Sequence, residues 1–116
     1  MGWEWDNIMN QTTLSALAEP NRFQMVEILK KGPLTVGELA ERMQIRQPQA
    51  SKHLRILSEA GIVSVEVDAN RRIYRLKPEP FMQLEGWLSS YIELWEDRFN
   101  QLDGLLFELQ RNKEKS

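Results

Sequence analysis

A mainly α-helical fold carrying one small β-hairpin is what this sequence predicts, on three observations. Apolar residues recur at steps of three and four along most of its 116 residues. The period drops to two in one place, between Val63 and Lys77. Proline and glycine fall where the helical period breaks, at Pro20, Gly32-Pro33, Pro48, Gly61 and Pro78 to Pro80. No internal repeat, low-complexity tract or linker interrupts the pattern, so residues 1–116 are expected to form one domain.

Asn10 to Ala18 reads as a modest helix with Leu14 and Leu17 on one side. Glu19-Pro20-Asn21-Arg22 breaks the chain and restarts it, because proline suits the first turn of a helix. The second helix, from about Pro20 to Lys31, sets Phe23, Val26 and Met25/Leu29 on neighbouring faces and ends at Gly32-Pro33. Thr35 followed three residues later by Glu38 is a capping box. The third helix it opens buries Leu39, Ala40 and Met43. Gln47-Pro48 opens a fourth helix whose Ala50, Leu54 and Leu57 share a face, and Ala60-Gly61 stops it. Residues 35–60 are thus two short helices joined by a tight turn.

Val63, Val65 and Val67 alternate with Ser64 and Glu66, which predicts a half-buried strand. In the turn Asp68-Ala69-Asn70, Asn70 is the residue expected to take positive φ. Arg71 to Lys77 returns with Tyr74 and Leu76 on one face and Arg71, Ile73 and Arg75 on the other. Pro78 and Pro80 start a last helix over about 80–110. Phe81, Leu84, Leu88, Tyr91, Trp95, Phe99, Leu102 and Leu106 follow along it at steps of three or four. Thirty residues of helix reach roughly 45 Å, more than so small a domain can cover, so this seam predicts packing against a second copy.

The charge is uneven. From Gln44 to Lys77 seven cations face three anions, a net of +4, whereas residues 78–116 carry −4 and residues 1–43 carry −2. A basic middle between acidic ends suits attraction of phosphate at one surface despite an overall −2. There is no cysteine, which removes disulfides, thiolate metal sites and thiol switches, and fits a reducing cytosol. No apolar run approaches the roughly 18 residues of a membrane span. The first residues, Met1 to Asp6, lack the basic start and apolar core of a signal peptide, so a cytoplasmic protein is expected.

On the fourth helix Gln47, Pro48, Ser51, Lys52 and Arg55 oppose the apolar face, with Gln49 in the same first turn. Gln pairs bidentately with adenine, Ser adapts, and Lys or Arg serves guanine or phosphate. A solvated polar face is the plain alternative; the basic hairpin that follows favours double-stranded DNA. Arg71, Arg72 and Arg75 would lie along phosphates or in the minor groove, or else merely keep the hairpin edge soluble. His53, the only histidine, either donates to a phosphate or fills a boundary position. Alone it makes neither a metal nor a catalytic site.

Trp87, Tyr91, Trp95 and Phe99 either pack in an interface or line a pocket for a small organic effector. Trp3 and Trp5 cover the same surface or belong to a mobile end. There is no glycine-rich phosphate loop, no nucleophile with a base and no carboxylate pair in an apolar setting; Glu93, Glu96 and Asp97 lie on a polar helix face. Neither an enzyme nor a cofactor is expected. A helix-turn-helix that binds only protein would carry apolar groups where Gln47, Ser51 and Lys52 stand.

The order helix, helix, helix-turn-helix, hairpin, long helix resembles the ArsR family of winged-helix transcriptional repressors over about residues 12 to 110. Leu14 to Arg22 is similar to that family's opening motif, with Glu19 where Asp is usual. Ser51-Lys52-His53-Leu54 with Leu57 and Glu59-Ala60-Gly61-Ile62-Val63 resembles its recognition-helix signature. Arg72-Ile73-Tyr74-Arg75-Leu76 resembles the return strand of its wing, with Asn70 where a tip glycine is usual.

The resemblance implies a winged helix-turn-helix with the wing at 63–77 and a homodimer joined through the first and last helices, Leu14 and Leu17 included. It also implies a near-palindromic operator read by two recognition helices roughly 34–36 Å apart. The family's cysteine pair in the third helix is replaced by Leu39-Ala40-Glu41-Arg42-Met43, and its last-helix histidines are missing. The chain therefore resembles a branch without metal sensing, an autorepressor among the possibilities.

Overall fold

The computed structural model describes residues 2–115. In order they form α1 (Gly2–Leu17), α2 (Pro20–Leu29), β1 (Leu34–Thr35), α3 (Val36–Met43), α4 (Gln47–Glu59), β2 (Val63–Asp68), β3 (Arg71–Leu76) and α5 (Glu79–Lys115). Packing separates the chain, expected as one domain, into two units, Met1–Gln83 and Leu84–Ser116.

Each helix of the first unit starts and stops for a local reason. The Glu19 carboxylate accepts a hydrogen bond from the Arg22 amide, and Pro20 occupies the first turn of α2. Thr35 Oγ1 accepts from the Glu38 amide at 3.2 Å, while the Thr35 amide donates to Glu38 Oε1 at 3.0 Å. The capping box is therefore closed, and these bonds from the Thr35 amide and hydroxyl hold the Glu38 carboxyl below its ordinary value. Gln44 ends α3 in the left-handed region at φ 56°, and the chain turns straight into α4. Gly61 takes φ 76° after α4, letting the Ile62 amide donate to the Leu57 carbonyl at 2.9 Å.

The core collects Met25 and Leu29 of α2, Leu39 and Ala40 of α3, and Ala50, Leu54 and Leu57 of α4, with Ile62, Val63 and Tyr74 closing it from the sheet side. The sheet has three antiparallel strands in the order β1-β3-β2. β1 is the strand the sequence did not announce: Leu34 pairs with Tyr74 and Thr35 with Ile73. Two residues carry no alternation to read.

Several expectations are corrected. α1 begins at Gly2 rather than near Asn10, and nothing after Gly2 breaks it. Trp5, Ile8 and Met9 are exposed on it, and the side chain of Trp3 lies outside the described residues. Leu17 and Phe81, expected at a dimer seam, pack against the core of their own chain. Phe23 is 56% exposed, because the inward face of α2 is taken by Met25, Val26 and Leu29. The β2 strand is buried only at Val63; Val65 and Val67 extend past the core, Val67 to 68% exposure. The residue with positive φ in the hairpin turn is Ala69, at 56°, not Asn70. With only the first central residue at positive φ, the turn has the pattern of a type II′ hairpin.

The second unit consists of the continuation of α5, a helix of 37 residues rather than about 30. Leu84 is buried and Trp87 half-buried. From Leu88 at 47% to Phe107 at 64%, its large apolar side chains stand exposed. Trp87 and Tyr91 meet edge to face with ring centroids 5.2 Å apart, and the Arg98 guanidinium lies 5.2 Å from the Trp95 ring. No described helix is long and apolar enough to cross a membrane.

A left-handed alanine crowds its Cβ against the backbone, which costs about 1–2 kcal/mol. Ala69→Gly is therefore expected to raise stability by about 1 kcal/mol, read as a higher urea midpoint with unchanged slope. A lower midpoint would show that Ala69 is not strained.

Candidate nucleic-acid interface

Burying Ala50, Leu54 and Leu57 turns the opposite side of α4 outward. Pro48, Ser51, Lys52 and Arg55 emerge there and form one wall of a groove of about 550 Å³. The facing wall is the hairpin, through Val65, Arg72 and Tyr74. Strand register explains that wall. Val65 pairs with Tyr74 and Val67 with Arg72, and directly opposed residues share a sheet face. Towards the tip, Gln47 and Ser51 face Asn70, Arg71 and Arg72 across a second depression of about 460 Å³.

Three cations, Lys52, Arg55 and Arg72, line the larger groove against one anion, Glu59. Arg55 lies 4.0 Å from Glu59, both well exposed, and Arg71 lies 3.7 Å from Asp68. Exposed pairs of this kind contribute about 0–1 kcal/mol, so they yield readily to a phosphate. Among the described residues Lys52 and Arg72 make no ion pair at all.

The structure thus brings together Gln47, Pro48, Ser51, Lys52, Arg55, Arg71 and Arg72. It leaves out three others. Arg75 stands on the far sheet face, where its Nη2 donates to Glu66 Oε2 at 3.1 Å. Gln49 is exposed but lines neither depression, and sits one turn before His53 on the other flank of α4. His53 itself points inward, its side chain 16% exposed, with Nδ1 3.7 Å from Glu19 Oε2 and 3.4 Å from Arg22 Nη1. The ring thus stands at the boundary between α4 and the start of α2.

Sequence reasoning also missed groove residues. Ser58 and Glu59 lie one turn beyond Arg55 on its own face, so the helical period held their signal. Val65 and Tyr74 border the groove too, and an apolar residue in an alternating strand gives no sign of lining a polar one.

A further polar cluster lies beneath α4. Glu19 accepts from the Arg22 amide at 2.9 Å and from Asn21 Nδ2 at 3.3 Å, and Arg22 Nε donates to the Ala16 carbonyl at 2.7 Å. Partial burial pushes the Glu19 carboxyl up. The Arg22 amide, His53 and the Arg22 guanidinium together outweigh it and hold the group below its ordinary value of 4.5.

This geometry has known counterparts. A helix-turn-helix domain model matches residues 17–66. A helix-turn-helix transcriptional regulator of Mycobacterium tuberculosis is 43% identical over 63 residues, which is 54% of this chain and 59% of that protein. The transcriptional repressor SdpR of Bacillus subtilis is 30% identical over 77 residues, 66% of this chain and 86% of the repressor. A crystal structure of an ArsR family transcriptional regulator superposes with a TM-score of 0.70 at 32% identity, over 78% of this chain and 93% of that one. The chain belongs to the ArsR family. It spans about three fifths of the length of the Mycobacterium relative. As an ArsR family member it has a winged helix-turn-helix, with α3 and α4 as the helix pair and β2–β3 as the wing.

A carboxylate whose pKa is lowered by folding adds stability above its unfolded value and loses it as pH falls through the folded one. Glu19→Gln is expected to cost about 1 kcal/mol at pH 7 as a weakened helix cap. The gap from wild type should close as pH drops below 4.5, the ordinary value. Thermal unfolding at several pH values reads this; a gap that persists unchanged in acid would mean the charge of Glu19 contributes nothing.

Proposed function

We propose that this ArsR family chain is a homodimeric transcriptional repressor that seats α4 and the wing on a near-palindromic DNA operator, with no metal as effector. One observation carries the reading. Lys52, Arg55 and Arg72, from two elements far apart in sequence, face one groove together with Ser51. Cations fix a protein on phosphates, and Ser51 and Gln47 beside them supply donors and acceptors for base edges.

The dimer rests on apolar surface. α1 exposes Trp5, Ile8, Met9 and Leu14, and α5 exposes Leu88, Tyr91, Trp95, Phe99, Leu102 and Leu106. Soluble chains rarely leave such continuous apolar faces uncovered. A closed two-fold pair covers them and presents two copies of α4, the geometry that reads half-sites about 34–36 Å apart. The metal-free reading draws on residue supply: there is no cysteine, and the one histidine is engaged with Glu19 and Arg22.

Selection of fragments from a genomic pool with purified protein tests the function, the chain's own promoter being the first to examine. Lys52→Ala and Arg72→Ala are each expected to weaken binding of the selected duplex about tenfold and to lower the salt slope by about 1. Unchanged affinity in both would remove the groove from the contact surface. Leu88→Asp or Trp95→Asp should yield monomer or unfolded chain in sedimentation, since an unpaired charge does not enter an apolar seam. A stable dimer in both variants would place the interface elsewhere.

A further inference from the structure

We propose that Glu19 and Arg22 are positioning residues for α4, acting through His53, so that the preference of the protein for its operator over other DNA follows the protonation of that ring. The proposal rests on the reading of α4 as the helix that meets DNA.

His53 sits between Lys52 and Leu54, so its ring is fixed to the same helix that carries the groove residues yet faces the opposite flank. Arg22 and Glu19 are themselves held in place. The guanidinium donates through Nε to the Ala16 carbonyl at 2.7 Å, and the carboxylate accepts from the Arg22 amide at 2.9 Å and from Asn21. The last turn of α1, the N-cap of α2 and the middle of α4 therefore meet around one guanidinium. The ring ties α4 to this cluster, so its bonding partner bears on how the helix is held against α2.

The chemistry permits two states. A guanidinium has donors and no acceptor. When the ring is neutral, Nδ1 at 3.4 Å from Arg22 Nη1 can only accept, which leaves the ring proton on Nε2. When a proton from solvent binds Nδ1, that atom becomes a donor and no longer accepts from Arg22, and the two cations repel. The acceptor within reach is Glu19 Oε2, 3.7 Å away. One proton thus exchanges the Arg22–His53 bond for a His53–Glu19 bond. The charged groups facing the ring are Glu19, just before α2, and Arg22, on α2; Glu59 of α4 lines a neighbouring depression with Arg22.

A protonated ring also attracts every DNA through charge alone, so affinity by itself does not separate the effects. The ratio of affinities does. The genomically selected duplex and a scrambled duplex of equal length are titrated at constant salt near the ends of the range from about pH 5 to 8 in which imidazoles change charge. The wild-type ratio is expected to fall about tenfold at the acid end. In His53→Asn, whose amide oxygen stands where Nδ1 stood and can accept from Arg22 without titrating, the ratio is expected to stay flat. A flat wild-type ratio, or one that titrates equally in His53→Asn, overturns the proposal.

A second readout needs no DNA and no variant. The imidazole nitrogen shifts of wild-type His53 at the alkaline end should report the Nε2–H tautomer; an Nδ1–H tautomer overturns the proposal even if every variant fails to fold. If the tautomer is as expected but no duplex is preferred at either pH, the DNA reading falls and takes the operator claim with it. A preferred duplex whose ratio ignores pH strikes the present proposal alone.

Discussion

Everything that points outward from α4 depends on what points inward. Ala50, Leu54 and Leu57 have no exposed surface, and they lock against Met25, Leu39, Ile62 and Val63. Each fully buried leucine contributes about 1.5–3 kcal/mol, and together with Ala50 the two leave the helix one rotation about its axis. Ser51, Lys52 and Arg55 stand where they do because the helical period places them opposite that stripe. Two left-handed residues bracket the arrangement. Gln44 turns the chain out of α3 at φ 56°, and Gly61 releases it from α4 at φ 76°. The core thus decides which side of α4 stays polar.

The wing extends this logic by register rather than by burial. Tyr74 is the buried residue of β3, and it fixes which sheet face looks at α4. Arg72 is two residues earlier on the same face, beyond the end of the core, opposite an exposed Val67. A period of two explains why Arg72 joins Lys52 and Arg55 while Arg75, three residues from Arg72, cannot. The pleat separates Arg72 from Arg75, whereas Arg71, first residue after the turn, borders the depression at the tip although it alternates with Arg75.

What was legible in the residues follows the range of the interaction that decides each feature. Capping by Thr35 and Glu38, the stop at Gly61 and the α4 stripe are settled within four residues of sequence, and all were readable. β1 was not, because a two-residue strand exists only through its pairing with Tyr74 and Ile73, some 40 positions away. Ala69 carries the positive φ although Asn70 is the better candidate by propensity; the hairpin register demands it at the first position of the turn. His53 shows the same limit. Its helix position marks it as a boundary residue, but only the fold brings Glu19 and Arg22 to it from the start of α2, some 30 positions earlier.

The α5 stripe constrains the proposed dimer in a way the groove does not. Leu88, Tyr91, Trp95, Phe99, Leu102, Leu106 and Leu109 recur on one side of the helix at steps of three and four. A two-helix seam needs no more than that narrow stripe. Leu94 and Leu105 widen it towards one flank and Ile92 towards the other, and all three are exposed. A helix with one neighbour would waste those positions in water, whereas a helix with two neighbours buries them. The proposed joining through both first and last helices meets this requirement, because a partner then offers an α5 and an α1, the latter exposing Trp5, Ile8 and Met9. Width of the stripe, rather than its length alone, is therefore the stronger argument that both terminal helices belong to the same interface.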